Sequence, residues 1–260
     1  MLRAFSASAT GMMAQEMLVN VIANNLANVN TTGFKRSQVE FQDLLSAKSR
    51  EPGAQVAAGV VSPTGLEVGT GVRVSSTTRV FSNGDLNRTD RNLDVAIQGD
   101  GFMQVLMPSG GIRYTRDGSL MVNVNGQLVT ATGYQLEPAI AIPTNAASIE
   151  IGADGGINVT DSSGVTTVVG AIQLVRFANP SGLTSQGDNL YMQTDASGAP
   201  LVGIAGQEGF GNIQSGFLEK SNVLMVNELV NLITAQRAYE INSRAIKAGD
   251  EMLQNTNNIF

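Results

Sequence analysis

Carboxylates are the main reactive side chains that this sequence offers. The 260-residue chain contains no His, no Cys and no Trp, which excludes Ser-His-Asp and Cys-His nucleophile systems, zinc sites built on those residues, and disulfides. Asp90, Asp94 and Asp100 lie close in the sequence, and pairs of carboxylates catalyse glycoside hydrolysis. They lack the spacing of a calcium-binding loop, and such side chains are mostly solvated on surfaces. We therefore predict no catalytic residue, no metal site, no cofactor and no enzymatic activity.

The overall charge is acidic, with 16 Lys and Arg against 22 Asp and Glu and a net charge of −6. Residues 117–219 contain nine acidic side chains and a single basic one, Arg176. Because no basic face is evident, nucleic acid is not an expected partner. No apolar run reaches the ~18 residues of a membrane helix, so we expect no membrane span. The same absence leaves no signal-peptide core, which predicts that any export occurs without cleavage.

Both ends of the chain predict long helices. Residues 1–28 place apolar side chains every seven positions, and residues 222–255 repeat this pattern more strongly. At about 1.5 Å of rise per residue, the second helix would be roughly 50 Å long. The predicted helix seams are Phe5, Met12, Val19 and Leu26 in the first helix, and Met225, Leu232, Tyr239, Ile246 and Leu253 in the second.

The middle of the chain changes to an alternating pattern that is typical of strands. Residues 121–130 alternate apolar and polar side chains around Asn125-Gly126, a dipeptide that supplies the two φ > 0 positions of a type I′ hairpin. Similar turn signals recur, and they predict one antiparallel β domain over residues 76–220. Residues 51–71 contain two Pro and five Gly with neither period, which is typical of a linker.

The terminal helices have two interpretations. Because they flank a β insert, they should lie side by side and antiparallel within one subunit. Extra apolar residues widen both stripes beyond one such contact, among them Ile22, Val226 and Val230. Either the helices form a simple hairpin that caps the β domain, or they are completed by other copies in a homo-oligomer, which is helical if the contacts are head-to-tail.

Three stretches resemble the flagellar basal-body rod and hook family, the axial proteins of the bacterial flagellum. The first motif is specific and follows the first helix, and the other two lie in the β domain and at the second helix. The stretches are residues 24–35 (NNLANVNTTGFK), residues 179–183 through 187–191, and residues 216–223 through 236–242. Within the family, the short length, residues 69–73, residues 94–102 and the insert at 52–55 are most similar to the distal-rod members.

The resemblance implies an α+β fold with an inner polymerisation domain of antiparallel, coiled-coil-like terminal helices. This helical domain would comprise residues 1–35 with 221–260, followed by an extended connecting segment over 36–75 and an antiparallel all-β outer domain over 76–220. The subunits would polymerise into a hollow, stiff, tubular shaft in the periplasm that transmits torque from motor to hook and passes exported proteins. Implied partners are further copies of the chain, proximal rod proteins, the hook protein and the surrounding ring proteins. Export would use the flagellar type III apparatus.

The resemblance also marks an assembly motif. Its residues are Asn24, Asn25, Leu26, Ala27, Asn28, Thr32, Gly33, Phe34 and Lys35. Physically, Gly33 is suited to a turn with positive φ, Phe34 to an apolar anchor, and the Asn side chains to caps or to hydrogen bonds across a subunit contact. The competing interpretation is an ordinary helix end with solvated Asn residues. A secreted β-rich adhesin and a peptidoglycan-cleaving glycosidase are the alternative functions, although neither explains the paired terminal seams.

Overall fold

Two long helices lie at the two ends of the chain, as the apolar spacing predicts. The computed structural model describes residues 2–53, 55–57, 60–61 and 63–257. Helix α1 is Leu2–Ala27, and helix α2 is Met225–Asn257, with 26 and 33 residues. The terminal helices and the strands between them confirm the predicted α+β fold class.

Strands occupy most of the chain between the helices. In the described residues they are, in order, β1 (Ser37–Asp43), β2 (Ala47–Arg50), β3 (Gln55–Ala57), β4 (Val60–Val61), β5 (Leu66–Val68), β6 (Val72–Arg79), β7 (Leu86–Arg88), β8 (Val95–Gln98), β9 (Phe102–Leu106), β10 (Ile112–Thr115), β11 (Leu120–Val122), β12 (Leu128–Thr130), β13 (Gln135–Glu137), β14 (Ala146–Ile151), β15 (Gly156–Asp161), β16 (Thr166–Ala171), β17 (Gln173–Arg176), β18 (Thr184–Gly187), β19 (Leu190–Met192), β20 (Leu201–Ile204), β21 (Asn212–Ser215) and β22 (Phe217–Glu219). A 3₁₀ turn, Pro180–Gly182, precedes β18.

The chain divides into two compact units. The first, the helical unit, contains Met1–Leu26, Ser37–Thr78 and Leu224–Phe260. The second, the β unit, contains Ala27–Arg36 and Arg79–Val223. Residues 27–35, which the resemblance groups with the terminal helices, lie in the β unit. The segment predicted to be an extended connection, 36–75, carries strands β1 to β5 and part of β6, and it belongs mainly to the helical unit.

Antiparallel pairing builds the β unit. Its largest sheet runs β11-β12-β13-β9-β10-β19-β18, and β17 pairs with β9 on one side and with β20 on the other. A three-stranded sheet runs β14-β15-β16, while β8 pairs with β21 and β7 with β22. Two pairs, β8 with β21 and β7 with β22, therefore join the beginning of this unit to its end.

Two apolar clusters form the core of the β unit. The larger is aliphatic and is centred on side chains such as Met103, Leu136 and Leu174, none of which is exposed to solvent. The smaller is aromatic, with edge-to-face ring contacts of Phe102 with Phe177 at 5.9 Å between ring centroids. Both clusters follow from the alternation of the strands, because every second side chain faces inward.

The Asn125-Gly126 turn differs from its prediction in detail. It does join two antiparallel strands, β11 and β12, but only Gly126 has a positive φ, of 76°, which excludes a type I′ turn. The Asn123 carboxamide accepts hydrogen bonds from the backbone N–H of Asn125 and of Gln127, both at 2.9 Å. This side-chain cap supports a five-residue loop that the dipeptide signal does not reveal.

The two terminal helices pack antiparallel through small residues. A Cβ placed on Gly249 would lie 2.5 Å from the Phe5 ring, and a Cβ on Gly11 would lie 3.0 Å from the Asn242 amide. Phe5, near the start of α1, therefore contacts Gly249, near the end of α2. Gly11, further along α1, contacts Asn242, which lies earlier in α2. Ala235 belongs to the same seven-residue row as Asn242 and Gly249 and is 2% exposed. The two glycines make room for the Phe5 ring and the Asn242 side chain of the facing helix.

The predicted seams flank this contact. In α1, all four predicted seam residues are half-buried, and in α2 so are Leu232 and Ile246. Met225, Tyr239 and Leu253 are exposed, so the second predicted seam is not continuously buried within one subunit. The reason is that the row of Ala235, Asn242 and Gly249 faces α1, so a parallel row on another side of α2 is only partly covered.

Candidate functional site

The first part of the motif closes the end of α1. Asn25 is 1% exposed, and its amide donates to the Ser37 carbonyl at 2.8 Å while its carbonyl oxygen accepts from the Ser37 backbone N–H at 2.9 Å. This pair of bonds ties the end of the helix to the start of β1. Asn24 and Ala27 are exposed, and Leu26 is half-buried. Asn25 thus acts within the subunit, while Asn24 and Ala27 are exposed on its surface.

The turn after α1 belongs to the β unit. Asn28 accepts hydrogen bonds from the backbone N–H and the hydroxyl of Thr31, both at 3.1 Å. The Thr32 carbonyl accepts from the Asn189 amide at 3.0 Å. Gly33 has a φ of 66°, and a Cβ there would lie 2.8 Å from the Arg116 backbone, so glycine is required both by conformation and by space. Phe34 is half-buried.

Lys35 leads from this turn into a fully buried ionic cluster. Its Nζ lies 2.6 Å from Glu219 Oε1, and neither side chain is exposed. Arg116 Nη1 lies 3.4 Å from Glu219 Oε2, and the Arg116 side chain is 1% exposed. The cluster therefore holds two cations and one carboxylate out of water, with Glu219 as the anion between them.

Neighbouring backbone groups complete the hydrogen bonding of this cluster. Lys35 Nζ also donates to the Ser82 carbonyl at 2.7 Å, and the Gly84 N–H donates to Glu219 Oε1 at 2.9 Å. Arg116 donates through Nε to the Gly101 carbonyl at 2.9 Å. Buried ions require such partners, because an unpaired charge in this environment is strongly destabilising.

The electrostatic balance of the cluster disfavours a second positive charge. The pKa of Lys35 is lowered from 10.5 to about 8, chiefly by burial and next by the Arg116 guanidinium, while Glu219 opposes both effects. With a pKa of about 8, the Lys35 ammonium group loses its proton in mildly alkaline solution. Its charge state therefore depends on the completeness of the pocket around it.

Asn222 joins three segments next to this cluster. Its carboxamide oxygen accepts from the Arg36 N–H at 2.8 Å, and its nitrogen donates to the Val80 carbonyl at 2.8 Å. Gly84 lies directly against the following segment, because a Cβ there would be 1.9 Å from the Lys220 carbonyl oxygen. The residues around Lys35, the loop at 80–84 and the segment 219–222 thus form one interlocked junction.

Sequence reasoning found part of this junction and missed the rest. Lys35 lies in the first motif, and Glu219 and Asn222 lie in the third stretch that carries the family resemblance. Arg116 and Gly84 were missed, because an Arg beside Asp117-Gly118 has the sequence signature of a solvated turn. Only the fold brings Arg116 to Lys35, across a sequence distance that no local pattern reveals.

The carboxylates considered for catalysis do not gather into a site. Asp90 and Asp100 are exposed, whereas Asp94 is 1% exposed and its Oδ1 lies 3.6 Å from Arg91 Nη1. The burial of Asp94 contradicts the expectation that all three are solvated. Within the residues that the structure describes, no group of three or more acidic side chains is arranged to hold a metal ion. No helix among the same residues is long and apolar enough to cross a bilayer.

Helix α2 carries large apolar side chains that its own unit leaves exposed. Val226 is 73% exposed, Val230 56% and Ile233 51%. Their spacing of four and three residues places them on one face of the helix. Met13 and Met17 are exposed in the same way on α1. We name Val226, Val230 and Ile233 the α2 apolar face.

Three family profiles match the chain, and all describe flagellar rod and hook proteins. Residues 5–35 match the flagella basal body rod protein family, which covers α1 and the first motif. Residues 96–159 match the D1 domain of the flagellar hook proteins FlgE, FlgF and FlgG, and residues 214–259 match the C-terminal region of the FlgEFG rod proteins. The chain therefore has the parts of a flagellar axial protein in their usual order.

Full-length relatives define the group more closely. The flagellar basal-body rod protein FlgG of Buchnera aphidicola is 48% identical over 95% of both chains. The FlgG proteins of Caulobacter vibrioides and Bacillus subtilis are 46% and 38% identical, over 99% or more of each chain. The solved structure of the Helicobacter pylori hook protein FlgE2 matches 71% of this chain and 43% of that chain, with 17% identity and a TM-score of 0.25. The chain belongs to the flagellar basal-body rod protein family, in its FlgG group.

Proposed function

We propose that the chain is a structural subunit of the distal rod, and that its copies polymerise through the terminal helices into a hollow, stiff shaft. The α2 apolar face is the observation that carries this proposal. Apolar side chains on one helix face are covered in most stable proteins, since contiguous exposed apolar surface marks interaction sites. A helical array of copies supplies the cover, with the predicted seam residues at its edges.

The wider assembly follows from the family. We place the rod in the periplasm, where proximal rod proteins, the hook protein and ring proteins contact it, and where it transmits torque and passes exported proteins. The exposed motif residues Asn24 and Ala27 are suited to contacts between subunits, while Asn25, Gly33 and Lys35 hold the motif in shape. In this proposal the terminal helices, residues 1–35 with 221–260, are the polymerisation domain, the segment 36–75 is the connection, and residues 76–220 are the outer β domain. No observation on the described residues favours an adhesin or a glycosidase.

The test is a charge on the α2 apolar face. Val230→Asp should prevent assembly of the purified chain at high concentration, because the new carboxylate would have to be buried between helices. Since Val230 is 56% exposed within its subunit, the free energy of unfolding of the monomer should change by less than about 0.5 kcal/mol. The matched control is Val168→Asp on β16, where Val168 is 75% exposed.

Sedimentation and negative-stain microscopy provide the readout. We expect tubes or rods from the unmodified chain and from Val168→Asp, and dispersed monomers from Val230→Asp. Rods of normal appearance from Val230→Asp would show that the face stays in solvent, and the proposal would then lose its main support.

A further inference from the structure

An open strand edge with apolar side chains lies at one side of the β unit. Strand β20 pairs with β17 in the register Leu201 to Arg176, and has no second strand partner among the described residues. Leu201, Val202 and Ile204 are 53%, 52% and 47% exposed. Natural proteins usually protect such edges with charges, Pro or bulges. Strand β20 contains no charge, and its register with β17 is regular.

A cavity adjoins this edge. It has a volume of about 430 Å³, and Leu201 lines it together with the rings of Phe81, Phe102 and Phe177. Cavities of this size and apolar lining accommodate large side chains or small ligands. An open edge beside an apolar cavity is the arrangement in which proteins bind an added strand, because the backbone pairs with the edge and a side chain enters the pocket.

Charge distinguishes the possible occupants. Arg176, Arg116 and Asp100 also line the cavity, and Arg176 is the single basic residue between 117 and 219 beside nine acidic ones. Its guanidinium lies 5.5 Å from the Phe210 ring centroid and donates to the Gly209 carbonyl at 3.3 Å. A strand that carries a carboxylate is therefore favoured at this position, and a second β unit brings such carboxylates in abundance.

We propose that the β20 groove, formed by Leu201–Ile204 and the cavity lined by Phe81, Phe102 and Arg176, binds an edge strand of the β unit of a second copy of this chain. The incoming strand pairs with β20, places an apolar side chain in the cavity and directs a carboxylate to Arg176. Because groove and strand are different surfaces, the contact is head-to-tail and extends along a polymer. The inference rests on the proposed function for the assembly in which it acts, and it adds a contact outside the helices.

The absence of Cys from the chain permits a direct test. Val202→Cys introduces a unique thiol in the groove, and Val124→Cys introduces one in the exposed loop between β11 and β12 as the matched control, where Val124 is fully exposed and lies on no strand. Each variant is labelled with a maleimide, first as a dilute monomer and then after assembly into rods. We expect the labelling rate at position 202 to fall at least about tenfold on assembly, and the rate at position 124 to stay within about twofold.

The possible results separate this inference from the proposed function. Rods whose Val202→Cys thiol reacts as fast as in the monomer would overturn the groove contact and leave the helical polymer intact. Protection only in isolated basal bodies, and not in rods of the pure chain, would also overturn it, since the occupant would then be a different protein. Failure of the unmodified chain to assemble at any concentration would contradict both proposals.

A second variant tests the charge. Arg176→Glu should raise the concentration needed for assembly at least about tenfold at low salt, and less at high salt, because the repulsion from an acidic second copy is screened. Arg113→Glu is the control in the same unit, outside the groove. Equal assembly of Arg176→Glu and the unmodified chain at low salt would count against the proposed pairing.

Discussion

Glu219 has a role that its sequence neighbours do not suggest. It accepts from both Lys35 and Arg116 at a site without solvent, so the two cations depend on one carboxylate. Removal of the anion leaves two buried positive charges that repel each other, whereas removal of Lys35 leaves one cation paired with one anion. The three residues are therefore unequal in what their removal costs.

This inequality predicts different losses of stability for two substitutions. Glu219→Gln keeps the shape but removes the charge, and it should lower the free energy of unfolding by about 3–5 kcal/mol. Lys35→Met should cost less, about 1–2 kcal/mol, since it leaves acceptors without their donor but relieves the repulsion from Arg116. Urea unfolding followed by tyrosine fluorescence measures both, with Glu150→Gln as the exposed control. A larger loss for Lys35→Met than for Glu219→Gln would refute this charge balance.

The lowered pKa of Lys35 predicts a dependence of stability on pH. Between its folded pKa of about 8 and its unfolded value of 10.5, the unfolded chain binds a proton that the folded chain has released. The free energy of unfolding should therefore rise with pH in this window, by at most about 1.4 kcal/mol per pH unit. Above pH 10 the trend reverses, because burial raises the pKa of Tyr191 and the folded state then holds the extra proton.

Urea unfolding at pH 7.5, 8.5 and 9.5 measures this rise directly. Lys35→Met lacks the titrating group, so its free energy of unfolding should lack the increase that the unmodified chain shows. Parallel curves for the two proteins across this range would mean that another group causes the pH dependence.

At the scale of elements, the sequence predicts existence and type better than contacts. The seven-residue apolar rows predict α1 and α2 to within a few residues, because amphipathic periodicity is a local property. The facing surface was not predictable from those rows, since Gly249 and Gly11 contact side chains of the other helix and carry no apolar signal. The alternating runs likewise predict an antiparallel β domain. They do not reveal which strands pair across long distances, such as β8 with β21.

For the predicted connecting segment, residues 36–75, the sequence likewise indicates the type of structure but not its contacts. Its Pro and Gly content correctly excludes a helix, while the local alternation in β1 and β6 has no strong turn signal beside it. The tie between Thr10 and this segment is tertiary, because the backbone N–H of Val72 donates to the Thr10 hydroxyl at 3.4 Å. Residues 54, 58, 59 and 62 of the stretch predicted to be a linker lie outside the described residues.

At the scale of the whole molecule, the ends of the β unit depend on each other. Lys35 and Glu219 are separated by 184 residues, and β22 pairs with β7 in the register Phe217 to Arg88. Long-range pairings of this kind form late, because the loop between them must close first. The β unit should therefore complete its fold only when the segment 216–222 is present.

Two truncated chains test this dependence. A chain ending at Val223 keeps β22, Glu219 and Asn222, whereas a chain ending at Ser215 loses all three, and both lack α2. We expect the longer chain to retain a cooperative urea transition in the fluorescence of Tyr114 and Tyr191, which are buried in the aromatic core. The shorter chain should unfold at a much lower urea concentration or without cooperativity, because it leaves Lys35 and Arg116 buried without their anion and β7 without its partner. Equal midpoints for the two chains would show that the β unit is complete without its last strand, and the ionic junction would then be a minor contributor to the fold.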